Sequence, residues 1–196
     1  MDIVAEPQLI RLLSERLILR PALAVDAAQI RAYNLGNREH LQPWQPLRPA
    51  GFFDIEAIVT RIASVERDRL AGRCLHLLIL ERDSGEMIGE CNFSNVVLGA
   101  FQACHLGYSL AERAQGRGLM SEALRVAIAY VFEVLQLHRI MANYIPDNDR
   151  SARVLERLGF EREGFARAYL KINGQWRDHV LTALINPAQG EKDVRP

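Results

Sequence analysis

A glycine-rich junction between a short strand and a long helix restricts this chain more than any other part of its sequence. Alternating apolar residues that end at Leu110 predict a strand, and regular apolar spacing from Met120 to Leu135 predicts an amphipathic helix. Gly116 and Gly118 stand between them. Because glycine has no Cβ, the backbone can turn tightly there and leave consecutive N–H groups free at the helix start. Such a junction favours binding of a phosphate or pyrophosphate.

The composition is typical of an ordinary globular domain. The chain has 196 residues, of which 49% are hydrophobic and 24% charged, and its formal net charge is zero. This length predicts a single domain with a full core at about residues 9–187 and a loose tail at 188–196. A neutral chain does not indicate a general binder of nucleic acid or of anionic membranes. The oligomeric state stays open.

The cysteines and the lack of targeting segments predict a cytoplasmic protein. Cys74, Cys91 and Cys104 form no Cys-x-x-Cys pair and lie in strand-like stretches, so we expect buried thiols rather than disulfides or a metal site. Residues 1–6 carry no basic region, and no apolar stretch approaches the roughly 20 residues that a membrane span needs. We therefore expect neither a membrane partner nor a bound metal.

Apolar periodicity and turn residues predict a mixed α/β (α+β) domain. The predicted strands fall at residues 16–20, 74–81, 87–97, 101–110, 138–144, 160–172 and 176–185. The predicted helices fall at residues 24–36, 54–70, 120–135 and 148–159. Asp26 is the expected cap of the first helix and Gly36 its end, whereas residues 40–53, rich in proline and aromatics, predict a loop. Asn173 and Gly174 predict a tight hairpin turn.

The place of the glycines disfavours two common nucleotide-binding folds. A dinucleotide-binding unit carries its glycine-rich loop after the first strand and needs a third glycine, where this chain has Met120 and Ser121. The sequence also contains no G-x-x-x-x-G-K-[ST] motif, so a nucleoside triphosphate is not indicated. The sequence therefore indicates a mixed domain with one pyrophosphate-binding loop near its centre.

The strand, the Gln-Gly-Arg-Gly loop at residues 115–118 and the long helix, together with residues 148–151 and 158–160, resemble the GNAT acetyltransferase superfamily. The resemblance implies one domain with a twisted, mostly antiparallel central sheet, a splayed strand pair and flanking helices. It also implies that the loop binds the pyrophosphate of acetyl-CoA. The family pattern Q/R-x-x-G-x-G/A is met except at its last position, where this chain has Met120.

Further segments resemble the RimJ/RimL branch of that superfamily, and within it the members that acetylate the N-terminal alanine of a small-subunit ribosomal protein. These segments lie at residues 41–46, 92–97, 106–109, 138–144 and 174–179. The likeness runs from about residue 16 to residue 187. It implies an acetyl-CoA-dependent N-acetyltransferase whose partner is a protein N-terminus, most specifically one of a ribosomal protein.

The resemblance assigns acetyl-CoA to the splayed strand, the loop and two helix starts. The implied ligands are Tyr108, Leu110, Gln115, Gly116, Arg117, Gly118, Leu119, Met120, Asn148 and Ser151. A backbone N–H on the splayed strand, near Tyr108 to Leu110, is expected to stabilise the thioester oxygen. Arg117 is expected to pair with a phosphate or else to be solvated. Asn148 either bonds the pantetheine amide or caps its helix, and both roles can coexist.

Acetyl transfer requires a neutral amine. An α-amino group has a reference pKa of about 7.7–8.0, so roughly a tenth is neutral at pH 7, which demands little from a base. Ser151 stands where the branch pattern has a proton-donating serine, the alternative being a plain first-turn residue. His105 is the candidate base, since its titration range suits, with a structural strand histidine as the alternative. Glu90 is a weaker candidate, and the acidic residue of RimL-type members falls at Leu170, so that role does not transfer.

Trp44, Asp178 and His179 are the expected acceptor-site residues, the alternatives being core packing for Trp44 and a surface pair in the hairpin for the other two. Two other functions remain open. An acetyltransferase for a polyamine or an aminoglycoside would suit a strongly acidic cleft, but the acidic residues here are scattered. A non-catalytic acyl-CoA sensor would not need Ser151 and Asn148.

Overall fold

An eight-stranded sheet forms the centre of the protein. The computed structural model describes residues 10–189. The strands are β1 (Leu12–Leu13), β2 (Leu17–Arg20), β3 (Leu75–Glu81), β4 (Met87–Val97), β5 (Ala103–Leu110), β6 (Arg139–Tyr144), β7 (Glu161–Ile172) and β8 (Gln175–Ile185), in the spatial order β1-β2-β3-β4-β5-β6-β8-β7. The helices are α1 (Ala27–Gly36), α2 (Arg38–Leu41), α3 (Ile55–Leu70), α4 (Leu119–Glu133) and α5 (Asp149–Arg157). The predicted mixed, mostly antiparallel fold is confirmed, with β1 and α2 as unpredicted additions.

Two neighbouring strands separate in the middle of the sheet. β5 and β6 pair in parallel only where residues 103–105 face residues 139–141. Beyond that point β5 stays paired with β4 up to Leu110, and β6 stays paired with β8 up to Tyr144. A gap therefore opens between the carboxyl ends of β5 and β6, and the predicted splayed pair is confirmed.

The helices cover both faces of the sheet. On β5, Ser109 contacts Tyr33 of α1, whereas its neighbour Tyr108 contacts Ser151 of α5. Because successive strand residues point to opposite faces, α1 and α5 lie on opposite sides of the sheet. The longest buried stripe belongs to α4, where Ala123, Leu124, Ala127 and Val131 are completely buried. This stripe fixes the start of α4 beside the gap.

Two predicted turns have the geometry that their sequences favour. After α5, Gly159 adopts φ +84°, its N–H donates to the carbonyl of Glu156 and the N–H of Phe160 donates to the carbonyl of Leu155, both at 3.0 Å. This is the Schellman arrangement, which glycine permits because the left-handed region costs it nothing. Asn173 and Gly174, with φ of 45° and 80°, form the type I′ turn between β7 and β8.

The predictions between β2 and α3 were partly wrong. Asp26 ends a 3₁₀ turn and does not cap α1 with its side chain; its carboxylate accepts from Arg20 and from the N–H of Leu23. Gly36 is the last residue of α1, but after Asn37 the chain continues into α2. The predicted loop at residues 40–53 therefore begins with helix, and Pro43 lies in a further 3₁₀ turn, Gln42–Trp44, because proline is tolerated in the first turn of a helix.

The Asp26 carboxylate joins β2 to the start of α1. Burial alone would raise the pKa of Asp26, but the hydrogen bonds from Arg20 and from Leu23 outweigh it and hold the pKa below its usual value. We expect Asp26→Asn to lower the free energy of unfolding by about 2 kcal/mol at pH 7, because charged donors lose their acceptor. A carboxyl group whose pKa is lower in the folded state than in the unfolded state stabilises the fold at pH values above its unfolded pKa of about 3.9. The difference in the free energy of unfolding between the wild-type protein and Asp26→Asn should therefore shrink as the pH falls below about 4. Urea unfolding at pH 7 and pH 3 measures it. Asp83→Asn, in the exposed β3–β4 turn, is the control. If Asp26→Asn lost as much stability at pH 3 as at pH 7, the stabilising role of the ionised Asp26 carboxylate would be contradicted.

Neither a membrane span nor a metal cluster is found in the part of the chain that the structure describes. No helix there is long and apolar enough to cross a bilayer, and no three His, Cys, Asp or Glu side chains come together as ion ligands. All three cysteines are free thiols; Cys91 and Cys104 are buried, and Cys74 is partly buried. Burial raises the pKa of the Cys104 thiol to about 12, so it is unreactive at neutral pH.

Candidate active site

The gap between β5 and β6 widens into a large cavity. Its volume is about 880 Å³, which lies within the range of small-molecule sites. Its walls are the second half of β5, the loop at residues 115–118 with the start of α4, the end of β6 and the start of α5. Trp44 and His40 close it on the side of α2, and His179 of β8 completes it. Most of the predicted site residues are thus brought to one place.

The loop before α4 presents its backbone to this cavity. Gly116 and Gly118 adopt φ of +73° and +76°, and a Cβ added at Gly116 would meet nothing within 4 Å. The first α4 hydrogen bond runs from the N–H of Glu122 to the carbonyl of Gly118, at 3.1 Å. Within residues 10–189, the N–H groups of residues 116–121 have no hydrogen-bond partner. A row of free donors at the positive end of a helix can hold a pyrophosphate.

The departure from the family pattern at Met120 does not block this row. The Met120 side chain is buried in the core, while its N–H stays among the free donors. The next residue, Ser121, lines the cavity, and its buried hydroxyl has no partner among the described residues. Sequence reasoning missed Ser121. Its position in the first turn of α4 was the available signal, since the N-terminus of a helix attracts a bound anion.

Gln115 bridges the two sides of the cavity. Its Nε2 lies 2.7 Å from Nε2 of His40, and Arg150 donates to its Oε1 at 2.5 Å. Arg150, Arg153 and Arg157 all line the cavity from one face of α5. Sequence reasoning missed this arginine face, although spacings of three and four after a helix cap could have indicated it. It adds positive charge where the loop donors lie.

The structure does not bring the Arg117 side chain to the cavity. Its guanidinium pairs with Glu81 at a distance of 3.2 Å, and the residue does not contribute to the cavity wall. The N–H of Arg117 nevertheless stays among the free donors of the loop. The predicted pairing of its side chain with a phosphate finds no geometric support.

On β5, two backbone donors point into the gap. The N–H of Ala111 donates to the carbonyl of Ile88 on β4, at 2.7 Å. Because N–H directions alternate along a strand, the N–H groups of Leu110 and Tyr108 point the other way, where β6 has already separated. These are the donors expected to stabilise a developing oxyanion.

Ser151 and Tyr108 form a hydroxyl pair at the cavity. Their oxygen atoms lie 2.8 Å apart, and the N–H of Ser151 donates to Oδ1 of Asn148 at 3.1 Å. Asn148 therefore caps α5 and fixes the position of Ser151. Burial raises the pKa of Tyr108 to about 12, so both hydroxyls carry their protons at neutral pH. The partnership with Tyr108 was not foreseen from sequence.

Neither predicted base candidate lines the cavity. His105 lies where the sheet is still closed, opposite Ser94 on β4 and Met141 on β6. Burial lowers the pKa of His105, and its Nδ1 is sealed off without a partner among the described residues. Glu90, whose pKa burial raises, faces Asn92 and Ser109 beneath α1 and is also absent from the cavity wall.

Of the three predicted acceptor-side residues, two line the cavity and one does not. Trp44 lines the cavity with 37% of its surface exposed, and His179 lines it although only 3% exposed. Asp178 does not reach the cavity. Its Oδ1 accepts from the N–H of Ala168 at 2.8 Å, across a bulge where Ala168 adopts φ +47°. Its place on β8, next to His179 but on the other face, explains the difference.

A splayed strand pair, a donor loop at a helix start and a hydroxyl beside the gap agree with the resemblance found in the sequence. The Acetyltransferase (GNAT) domain family matches residues 16–161. The chain belongs to the GNAT acetyltransferase family. GNAT enzymes use acetyl-CoA as the acyl donor, and the chain is an N-acetyltransferase of this kind.

Similar proteins place this GNAT chain beside ribosomal-protein acetyltransferases. The [ribosomal protein uS5]-alanine N-acetyltransferase of Escherichia coli (strain K12) is 46% identical over 178 residues, which cover 91% of this chain and 92% of that protein. The structure of the ribosomal-protein-S5-alanine acetyltransferase of Vibrio fischeri has a TM-score of 0.87 and 38% identity, covering 95% of this chain and 100% of that one. The structure of RimJ of Mycobacterium smegmatis in complex with CoA-disulfide has a TM-score of 0.83 and 31% identity, covering 89% of this chain and 84% of that one. The predicted membership of the RimJ/RimL branch is confirmed.

Proposed function

We propose that this protein acetylates the N-terminal α-amine of a protein, most specifically the N-terminal alanine of a small-subunit ribosomal protein. The observation that carries the proposal is the 46% identity, over nearly the full length of both chains, to the uS5-alanine enzyme of Escherichia coli. The bound CoA of the Mycobacterium smegmatis relative supports acetyl-CoA as the donor. A ribosomal target would place the reaction in the cytoplasm.

The chain's own groups fit acetyl-CoA. Free N–H groups at residues 116–121, the Ser121 hydroxyl and the arginine face of α5 (Arg150, Arg153 and Arg157) would hold its phosphates. The gap between β5 and β6 would hold its extended arm beside the N–H groups of Tyr108 and Leu110. When bound, acetyl-CoA supplies an activated acetyl thioester.

Each remaining step has a candidate group in the cavity wall. The N–H groups of Leu110 and Tyr108 would stabilise the oxygen as negative charge develops. The Ser151 hydroxyl would give its proton to the leaving sulfur, and Tyr108, at 2.8 Å, would replace that proton. The attacking amine must be neutral, which an α-amine with a pKa of about 7.7–8.0 reaches far more readily than lysine.

The charges of the cavity argue against a polycationic acceptor. Glu112, Asp147 and Asp149 line it, but the arginine face of α5 lines it too, and Arg177 pairs with Asp147 at 3.4 Å. A polyamine or aminoglycoside site needs acidic groups without such neighbours. Trp44 at the mouth instead offers an apolar surface for a peptide.

The test is acetylation of defined amines by the purified protein with acetyl-CoA, read by mass spectrometry. The acceptors are a ribosomal N-terminal peptide that begins with alanine, the same peptide with a blocked N-terminus and an internal lysine, and spermidine. We expect acetate on the free α-amine alone. Acetate on spermidine would favour the small-amine alternative. Tight binding of acetyl-CoA with no acetylated product would favour the acyl-CoA sensor.

A further inference from the structure

His179 lies on the acceptor side of the cavity, and its hydrogen bond shows which of its two ring nitrogens carries the proton. Its Nδ1 lies 3.0 Å from the carbonyl oxygen of Arg177. A carbonyl oxygen only accepts hydrogen bonds, so Nδ1 must carry the proton. In the neutral ring the lone pair is then on Nε2, and Nε2 has no hydrogen-bond partner among residues 10–189. Unlike Nδ1 of His105, this nitrogen is not sealed off.

The ring of His179 is also fixed in place by β7 and β6. Tyr169 lies against it with ring centroids 5.5 Å apart, and Asn143 donates to the Tyr169 hydroxyl at 3.3 Å. Tyr169 reaches this position because the β7 bulge, fixed by Asp178 through the N–H of Ala168, shifts the register of the strand. A carbonyl behind the ring and an aromatic side chain beside it are what a positioned base requires.

The location of His179 relative to the oxyanion donors suits proton removal. Val180 pairs with Tyr144, the last residue of β6, so His179 lies just past the point where the β6 ladder ends. The N–H groups of Leu110 and Tyr108 face the same gap from the β5 side. An attacking amine would pass Trp44 to reach an acetyl carbonyl held by those N–H groups. His179 lies in the wall of the same cavity.

We propose that Nε2 of His179, directly or through one water molecule, accepts the proton of the attacking α-amine. The inference rests on the proposed function and adds the base that it lacks. The amine nitrogen forms a bond to the acetyl carbon, and the carbon–sulfur bond of the thioester breaks. The proton from nitrogen passes to Nε2 and then to solvent, while the sulfur takes its proton from Ser151.

The surroundings of His179 keep its ring neutral. Burial lowers its pKa, the hydrogen bond to the Arg177 carbonyl and the charge of Asp178 raise it, the Arg177 charge lowers it, and the net pKa is below its usual value. Two tyrosines lie close to His179, Tyr169 against the ring and Tyr144 opposite the next residue, Val180, and His40 lines the same cavity. The neutral ring is the form that accepts a proton, so it is available at pH 7.

Two substitutions separate a base from a structural residue. His179→Asn keeps an N–H that can donate to the Arg177 carbonyl but has no basic nitrogen, and His179→Ala leaves room for free imidazole. We expect each to lower kcat by about 100-fold, the lower range of general base catalysis, with the Kd of acetyl-CoA unchanged within about threefold. Added imidazole should restore at least about a tenth of the lost rate in His179→Ala, in proportion to its neutral form. His105→Asn and His105→Ala are the matched controls, with near-normal kcat and no rescue expected.

A spectroscopic measurement tests the same inference without turnover. In the ¹⁵N spectrum of the wild-type protein, His179 should be the Nδ1–H tautomer with a pKa below that of an unperturbed histidine, and the alanine peptide should shift its signals. Wild-type kcat in His179→Asn and His179→Ala, an Nε2–H tautomer, or a folded His179→Ala protein that imidazole does not rescue would overturn the proposal. If the wild-type protein does not acetylate the peptide, the proposed function fails, and the peptide-induced shift of His179 then decides whether the acceptor site is placed correctly.

Discussion

Gly118→Trp should abolish measurable binding of acetyl-CoA while the protein stays folded. Gly118 lies in the cavity wall within the run of N–H groups at residues 116–121, which have no other partner in the described part of the chain, so a bulky indole there would crowd the phosphate site. Losing two charge-assisted hydrogen bonds of about 2 kcal/mol each weakens binding by about 10³-fold, before any steric clash. Isothermal titration calorimetry with acetyl-CoA measures this loss.

Strain must be separated from loss of the site in this experiment. Gly118 has φ +76°, where any other residue costs about 1 kcal/mol or more, so some stability will be lost. Gly85→Trp is the matched control, because Gly85 has φ +69°, open space around it and a place in the distant β3–β4 turn. We expect similar melting temperatures for the two variants but normal acetyl-CoA affinity only in Gly85→Trp. Normal affinity in Gly118→Trp would disprove the loop assignment.

Ser151→Ala should lower kcat by about 100-fold or more, the usual contribution of a positioned proton donor. Tyr108→Phe should have a smaller effect, because Ser151 keeps its own proton, and the double variant should be no slower than Ser151→Ala. The Tyr108 pKa of about 12 predicts that wild-type kcat does not fall with rising pH below about pH 10, since the pair stays protonated. Steady-state kinetics from about pH 6 to pH 10 with the alanine peptide gives all three results.

The control for this pair is Ser94→Ala, on β4 opposite His105 and away from the cavity. A Ser151→Ala enzyme with normal kcat would leave Ser151 as a helix-start residue held by Asn148. Additive losses in the double variant would show that the two hydroxyls act independently rather than as one proton path.

Patterns of neighbouring residues predicted most of the elements. The strand periodicities, the glycine after α5 and the Asn173–Gly174 turn report short-range geometry, and each has the predicted structure. Asp26 shows where this reasoning failed. Its side chain had a choice between the helix start and Arg20, and a charged partner gives the stronger hydrogen bond.

The predictions of site residues also succeeded where a role depends on local geometry and failed where it depends on distant contacts. The loop at residues 115–118, Asn148 and Ser151 could be located because each role belongs to a turn or a helix start. Arg117 and Asp178 could not be placed, because Glu81 and Ala168, which bind them, are distant in sequence or lie across a bulge. Ser121 and the arginine face of α5 were missed because nothing local marks the side of a helix that meets a cavity.

The sequence by itself determined the order of elements, the backbone conformation of the donor loop and the family to which the chain belongs, since these follow from local conformational preference and from likeness in sequence. Only the tertiary structure decided which side chains meet at the gap between β5 and β6. It moved the candidate base from His105 to His179, because the end of the β5–β6 ladder decides which residues face the cavity. It also paired Tyr108 with Ser151 across 43 residues of sequence.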